Sequence, residues 1–264
     1  MRSEPGAVRF ACMSLMWGMV NLPDERLAAF LDDARDAGYD GVACFEHELQ
    51  RFHAGMPLRQ MLADRGLALA SVDYFIDGDD ERLKRACETM REYGCRHLVA
   101  LAGLASKGAD MRATADLLNR MGGIATECGV MACYHNHTGN TGETLEETEE
   151  LVGLTDPERF FGFLDVGHAT KDFAGHPVAD RAAIFLERNW DRLRFIEFKD
   201  WSPESDLATE VGAGLTDYAK VFEILKRRGY SGWITVEQNA PTAGKTPLEC
   251  AQASREHIRS HFGF

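Results

Sequence analysis

Short apolar runs alternate with amphipathic segments along the whole chain. The runs Val8–Met13, Gly41–Phe45, Ala68–Asp73, His97–Leu101, Val130–Tyr134, Phe160–Leu164, Leu193–Phe198 and Trp233–Glu237 are β-branched, aromatic or Leu-rich. They have strand length and are apolar on both faces, as a buried parallel sheet requires. Between them the period becomes helical. Leu27, Phe30, Leu31 and Ala34 fall at i, i+3, i+4 and i+7; so do Leu83, Ala86, Cys87 and Met90, and again Tyr218, Val221, Phe222 and Leu225. Gly38, Gly66, Gly94, Gly129 and Gly229 stand where a left-handed helix cap is wanted before the next strand. Asp24, Asp79 and Asp110 stand where helices start.

Eight such strands, seven helices between them and a last helix near Leu248–His261 predict the α/β class. The expected architecture is a single (β/α)8 TIM barrel over residues 1–264. A doubly wound open sheet would want a Gly-rich turn after the first strand, and Met16-Trp17-Gly18-Met19 is not one.

Composition narrows the function. The chain is 45% hydrophobic and 27% charged, enough apolar content for a core of this size. Forty-two acidic residues against 29 basic ones give a charge of −13, which repels nucleic acid and anionic membrane surfaces. No apolar run is long enough to span a bilayer. Met1–Gly6 has no leader pattern, and the seven Cys form no Cys-x-x-Cys pair. A cytoplasmic protein with reduced thiols is the expectation.

In a TIM barrel the chemistry lies at the C-terminal ends of the strands. Strand five ends in His135-Asn136-His137 and strand six in Asp165-Val166-Gly167-His168. Strand seven carries Glu197, then Lys199-Asp200, and strand eight ends in Glu237-Gln238-Asn239. Carboxylates and imidazoles converging from successive strands suit a divalent ion.

These blocks resemble the xylose isomerase-like TIM barrels, the sugar phosphate isomerase/epimerase superfamily that also contains endonuclease IV. The resemblance rests on Tyr134–Gly139, Leu164–His168, Phe198–Trp201, Val211–Gly214 and Gly229–Gln238, in order. His135–Thr144 and the tail Glu237-Gln238…Pro247-Leu248-Glu249 most resemble inosose dehydratases. Superfamily epimerases bind a metal through Glu, Asp, His and Glu on strands five to eight. Carried over, the Asp is Asp165 and the last Glu is Glu237, while His135 stands at the first Glu position and Glu197 at the His position. His and Glu have exchanged strands, so the ligand charge is kept. The implied ligands are His135, Asp165, Glu197 and Glu237, holding Mn²⁺ by preference, with Mg²⁺, Co²⁺ or Zn²⁺ as alternatives.

The other roles follow the same resemblance. Glu237 is the expected base, Lys199 an oxyanion partner, and His168 a substrate-facing acid or a residue orienting a carboxylate. His137 is expected to bond substrate hydroxyls, and Trp17, Phe45 and Trp201 to wall a sugar ring. Gly212-x-Gly214 reads as a turn, or as a pair of N–H groups offered to an anion. The acidic run Glu143–Glu150 reads as a helix start.

The expected activity is proton abstraction next to the carbonyl of a keto-sugar or related polyol, leading to isomerisation or epimerisation. An inosose dehydratase-like elimination of water is the alternative, and a non-catalytic sugar-binding barrel the second alternative. DNA repair would need a basic crescent that this charge does not offer. The implied partner is a small sugar or cyclitol, and the resemblance implies a homo-oligomer, dimer or tetramer.

Overall fold

Parallel pairing closes eight strands into a ring. The computed structural model describes residues 7–262, so Met1–Gly6 lies outside the described residues. The strands are β1 (Val8–Met13), β2 (Gly41–Phe45), β3 (Ala68–Phe75), β4 (His97–Leu101), β5 (Met131–His135), β6 (Phe160–Asp165), β7 (Leu193–Phe198), β8 (Asp200–Ser202), β9 (Asp206–Thr209) and β10 (Gly232–Val236). The barrel runs β1-β10-β7-β6-β5-β4-β3-β2, each neighbour parallel, and β8 and β9 form a separate antiparallel hairpin. This is the expected (β/α)8 barrel, with the hairpin added after β7.

Helices fill every crossover because their apolar stripes cover the outer face of the strands. Leu27, Phe30, Leu31 and Ala34 are the buried residues of the helix Asp24–Asp36. Leu83, Ala86, Cys87 and Met90 are buried on Asp80–Glu92, and Tyr218, Val221, Phe222 and Leu225 on Tyr218–Arg228. Asp79 and Asp110 cap their helices through Arg82 N and Ala113 N. Asp24 does not: Pro23 takes the cap position, and Asp24 lies in the first turn, where its charge meets the helix dipole.

Alternate strand residues fill the barrel itself. Ala11, Ala70, Val99, Cys133, Phe161, Phe163, Phe195 and Trp233 form an inner cluster distinct from the shell beneath the helices. At its N-terminal end Arg9 lies over Trp233 at 4.1 Å, and His97 stacks on Phe195 at 4.6 Å. Toward the other end the inward residues turn polar. That end is the mouth.

Strand ends differ from the expected ones by a residue or two. β3 continues past Asp73 to Phe75, β5 ends on His135 and β6 on Asp165, while Glu237 lies just past β10. The inward alternation continues through these polar residues, so the pairing does not stop where the apolar run does. All seven cysteines are buried and unpaired. Among the described residues, no helix is long and apolar enough to cross a membrane.

Candidate active site

The end of β5 uses three successive residues in three ways. His135 faces the barrel, with Nε2 3.2 Å from Asp165 Oδ2. Asn136 staples the neighbouring strand: its Nδ2 donates to Asp165 O at 3.0 Å, and its Oδ1 accepts from Asp165 N at 2.8 Å. His137 folds over the mouth and packs on His168, ring centroids 4.0 Å apart.

Asp165 ends β6 and caps the helix Val166–Asp172 by accepting from His168 N at 2.8 Å. That turn brings His168 Nε2 to 3.8 Å from Asp165 Oδ2. Gly167 is required between them, since a Cβ there would lie 2.6 Å from Lys199 Cγ.

Lys199 occupies the middle of the carboxylates. Its Nζ donates to Glu237 and lies 3.4 Å from Asp165 Oδ2 and 3.7 Å from Glu197 Oε1. Burial opposes its charge, yet Glu237, Asp165 and Glu197 together raise its pKa above the ordinary lysine value. Burial opposes ionisation of Asp165 as well, but Lys199, His168 and His135 outweigh it and hold the group well below the usual range. Glu197 and Asp73 go the other way, pushed well up by burial and by Glu237. Burial pulls His137 down to about 4, and His168 well below the usual imidazole value.

The β2 and β3 side of the mouth carries an apolar cluster beside Asp73. Phe45 and Phe75 stack at 5.5 Å with rings 3° from parallel, and Met13, Leu15 and Ala43 pack beneath them. Of the three aromatics expected to wall a sugar ring, Phe45 is part of this stack. Trp17 is not: it is buried against Phe30 at 4.9 Å, with Nε1 donating to Asp33 at 2.7 Å. The short helix Leu15–Gly18 turns it onto the outer helices. Trp201 lies half-buried on the hairpin, its Nε1 bonded to Asp206 at 2.9 Å.

The Gly212 and Gly214 N–H groups do hold an anion, but it is the chain's own. They donate to Asp200 Oδ2 at 2.9 and 3.0 Å, closing the loop after β7. The acidic run is a helix start as expected, Thr144 and Glu147 forming a capping box.

Asp73 is not among the residues expected at the site. It is buried in β3 facing the mouth, within electrostatic reach of Glu237, Lys199 and Asp165. The strand-end rule that singled out strands five to eight would have found it on strand three.

The four expected ligands share the mouth, and His135 and the three carboxylates are all buried there. His135, Asp165 and His168 are the one group of three among the described residues whose ligand atoms lie within 4.8 Å of one another. Glu197 and Glu237 lie outside that group, on Lys199 Nζ, which Asp165 also approaches at 3.4 Å. The residues present fit a divalent cation. Three buried polar atoms here, His135 Nδ1, His168 Nε2 and Glu197 Oε1, have no hydrogen-bond partner. The donors are nitrogen and oxygen without thiolate, which suits a hard or borderline ion.

A closed (β/α)8 barrel with a carboxylate–imidazole mouth defines the class, and the sequence agrees. The profile described as the xylose isomerase-like TIM barrel matches residues 31–261, and the chain belongs to that family. It is 32% identical over 165 residues to the inosose dehydratase of Geobacillus thermodenitrificans, covering 56% of this chain and 53% of that protein. The chain thus spans about half the length of the curated relatives it matches. The fold is that of the D-allulose 3-epimerase from Methylomonas sp., with TM-score 0.76, 17% identity, and 97% and 99% of the two chains covered. It is also that of the IOLI protein, solved with a zinc atom, at TM-score 0.74, 18% identity, and 97% and 100% coverage.

Proposed function

We propose that this chain is a lyase that eliminates water from a polyhydroxylated ketone, a keto-cyclitol or keto-sugar. One observation carries the proton abstraction on which the reading depends. Glu237 is bonded to Lys199 at the lip of the mouth and is the most exposed carboxylate there, 6% against 0% for Asp165.

The Phe45–Phe75 wall covers the C–H face of the ring, leaving its oxygens to the polar half. Glu237 takes the proton from the carbon next to the carbonyl, and Lys199 offsets the charge as it moves from Glu237 to the substrate oxygen. The electron pair then expels hydroxide from the adjacent carbon, and the proton on Glu237 leaves with it as water. An enone remains. His135, Asp165 and His168 would hold a divalent ion, Mn²⁺ by preference, which when bound supplies a Lewis acid for the carbonyl oxygen.

Isomerisation or epimerisation shares the first step and needs a proton returned elsewhere. In the epimerase pattern strands five and eight each carry a glutamate; here His135 replaces one of them. Burial keeps His137 and His168 uncharged near neutral pH, so they are poor donors for that return. The inosose dehydratases among the relatives support the same choice.

The test is incubation of the metal-loaded protein with inososes and keto-sugars, followed by ultraviolet absorbance. An enone appearing with loss of water is expected. Isomeric ketones without an enone would establish the isomerase, and binding without turnover the sugar-binding barrel.

A further inference from the structure

Behind His168 lies a polar chain that the proposed reaction does not use. Thr138, in the loop after β5, places Oγ1 2.9 Å from His168 Nδ1, and its hydroxyl donates to Asp172 Oδ2. Asp172 ends the helix Val166–Asp172, four residues on from His168 and on the same face, with Oδ2 3.7 Å from Nδ1. A carboxylate accepts and does not donate, so the single hydroxyl proton of Thr138 is committed to Asp172. Toward His168 the hydroxyl oxygen is left as an acceptor, and Nδ1 must bring the proton.

The backbone N–H of Thr138 also points at Nδ1, at 3.2 Å, and would favour the opposite tautomer. The hydroxyl contact is the shorter of the two, and the carboxylates flanking the ring, Asp172 3.7 Å from Nδ1 and Asp165 3.8 Å from Nε2, balance each other. On the far side, Nε2 is buried without a hydrogen-bond partner and faces Asp165. An imidazole that gives one nitrogen's proton to a carboxylate relay presents the other nitrogen's lone pair, which is what a cation needs.

We propose that Thr138 and Asp172 are positioning residues that lock His168 as the Nδ1–H tautomer, its Nε2 lone pair aimed into the mouth. Their value to the protein rests on the reading of His135, Asp165 and His168 as a cation-holding group. The loop after β5 thereby sets the ligand quality of a residue on β6's helix.

The tautomer is read directly in cation-free protein labelled with ¹⁵N-histidine, by long-range ¹H–¹⁵N correlation near neutral pH. Loss of one set of signals in His168→Gln assigns the residue. The expected spectrum has a protonated Nδ1 and an unprotonated Nε2. Thr138→Val should move the proton to Nε2 and weaken Mn²⁺ binding by about 10- to 100-fold. Thr138→Ser should restore both. A wild-type His168 protonated on Nε2 overturns the proposal, and so does an unchanged tautomer in folded Thr138→Val. Should the tautomers follow the expectation while Mn²⁺ binds none of the proteins, the relay stands and the cation reading falls.

Discussion

The ammonium of Lys199 and the carboxylate of Glu237 are bonded across the gap between two adjacent barrel strands. Glu237 N also donates to Phe198 O at 3.0 Å, so backbone and side chains tie the same two strand ends. The pair lies over Glu197 and beside Asp165, and Lys199 is the cation that three carboxyl groups share.

Removing that cation should therefore cost more than a surface ion pair would. Lys199→Met is expected to lower stability by about 3–5 kcal/mol, because buried charge is left uncompensated. Lys199→Met with Glu237→Gln should recover part of the loss. Urea unfolding of cation-free protein measures both; a single variant within about 1 kcal/mol of wild type would show that the cluster does not depend on Lys199.

At the other end of the barrel, His97 gives a pH dependence with a definite sign. Burial against Phe195 pulls its pKa down to about 4, although its Nδ1 is bonded to Ala70 O at 3.0 Å. Between pH 6.5 and 4 the unfolded imidazole binds a proton that the folded one refuses. The contribution to stability is full above about pH 6.5 and is lost progressively as the pH falls to about 4, by about 3 kcal/mol. His97→Gln should flatten this part of the stability–pH curve. Parallel curves for the two proteins would refute it.

The fold was legible because both faces of the barrel strands are largely buried beyond their first two residues, so each strand is an apolar run with helical stripes on either side. The site was legible where such a run ends in a ligand-type residue, as at His135, Asp165 and Glu237. Other features depend on tertiary turns. The hairpin β8–β9 is polar and short, so nothing in its pattern marks a strand. Trp17 packs on Phe30 of the outer helix because the short helix Leu15–Gly18 intervenes after β1. That His168, and not Glu197, joins His135 and Asp165 is decided by the cap at Asp165 and the close approach at Gly167. Neither is a pattern along the chain.

The cation reading predicts a loss of affinity without a loss of fold. Asp165→Asn should reduce Mn²⁺ binding at least about 10-fold and remove turnover, the helix cap surviving through the amide oxygen. Titration calorimetry and circular dichroism separate the two effects. Wild-type affinity in the variant would place the ion elsewhere, and full activity after chelation would remove it from the reaction.

The central claim is that Glu237 takes a proton from carbon next to a carbonyl. Its most direct test is the loss of the substrate's α-proton signal, followed by NMR in D₂O with a keto-cyclitol, for wild type and Glu237→Gln. The account predicts loss of that signal by wild type and a rate at least about 100-fold lower in the variant, with Mn²⁺ affinity and fold retained. Equal rates in the two proteins would contradict it.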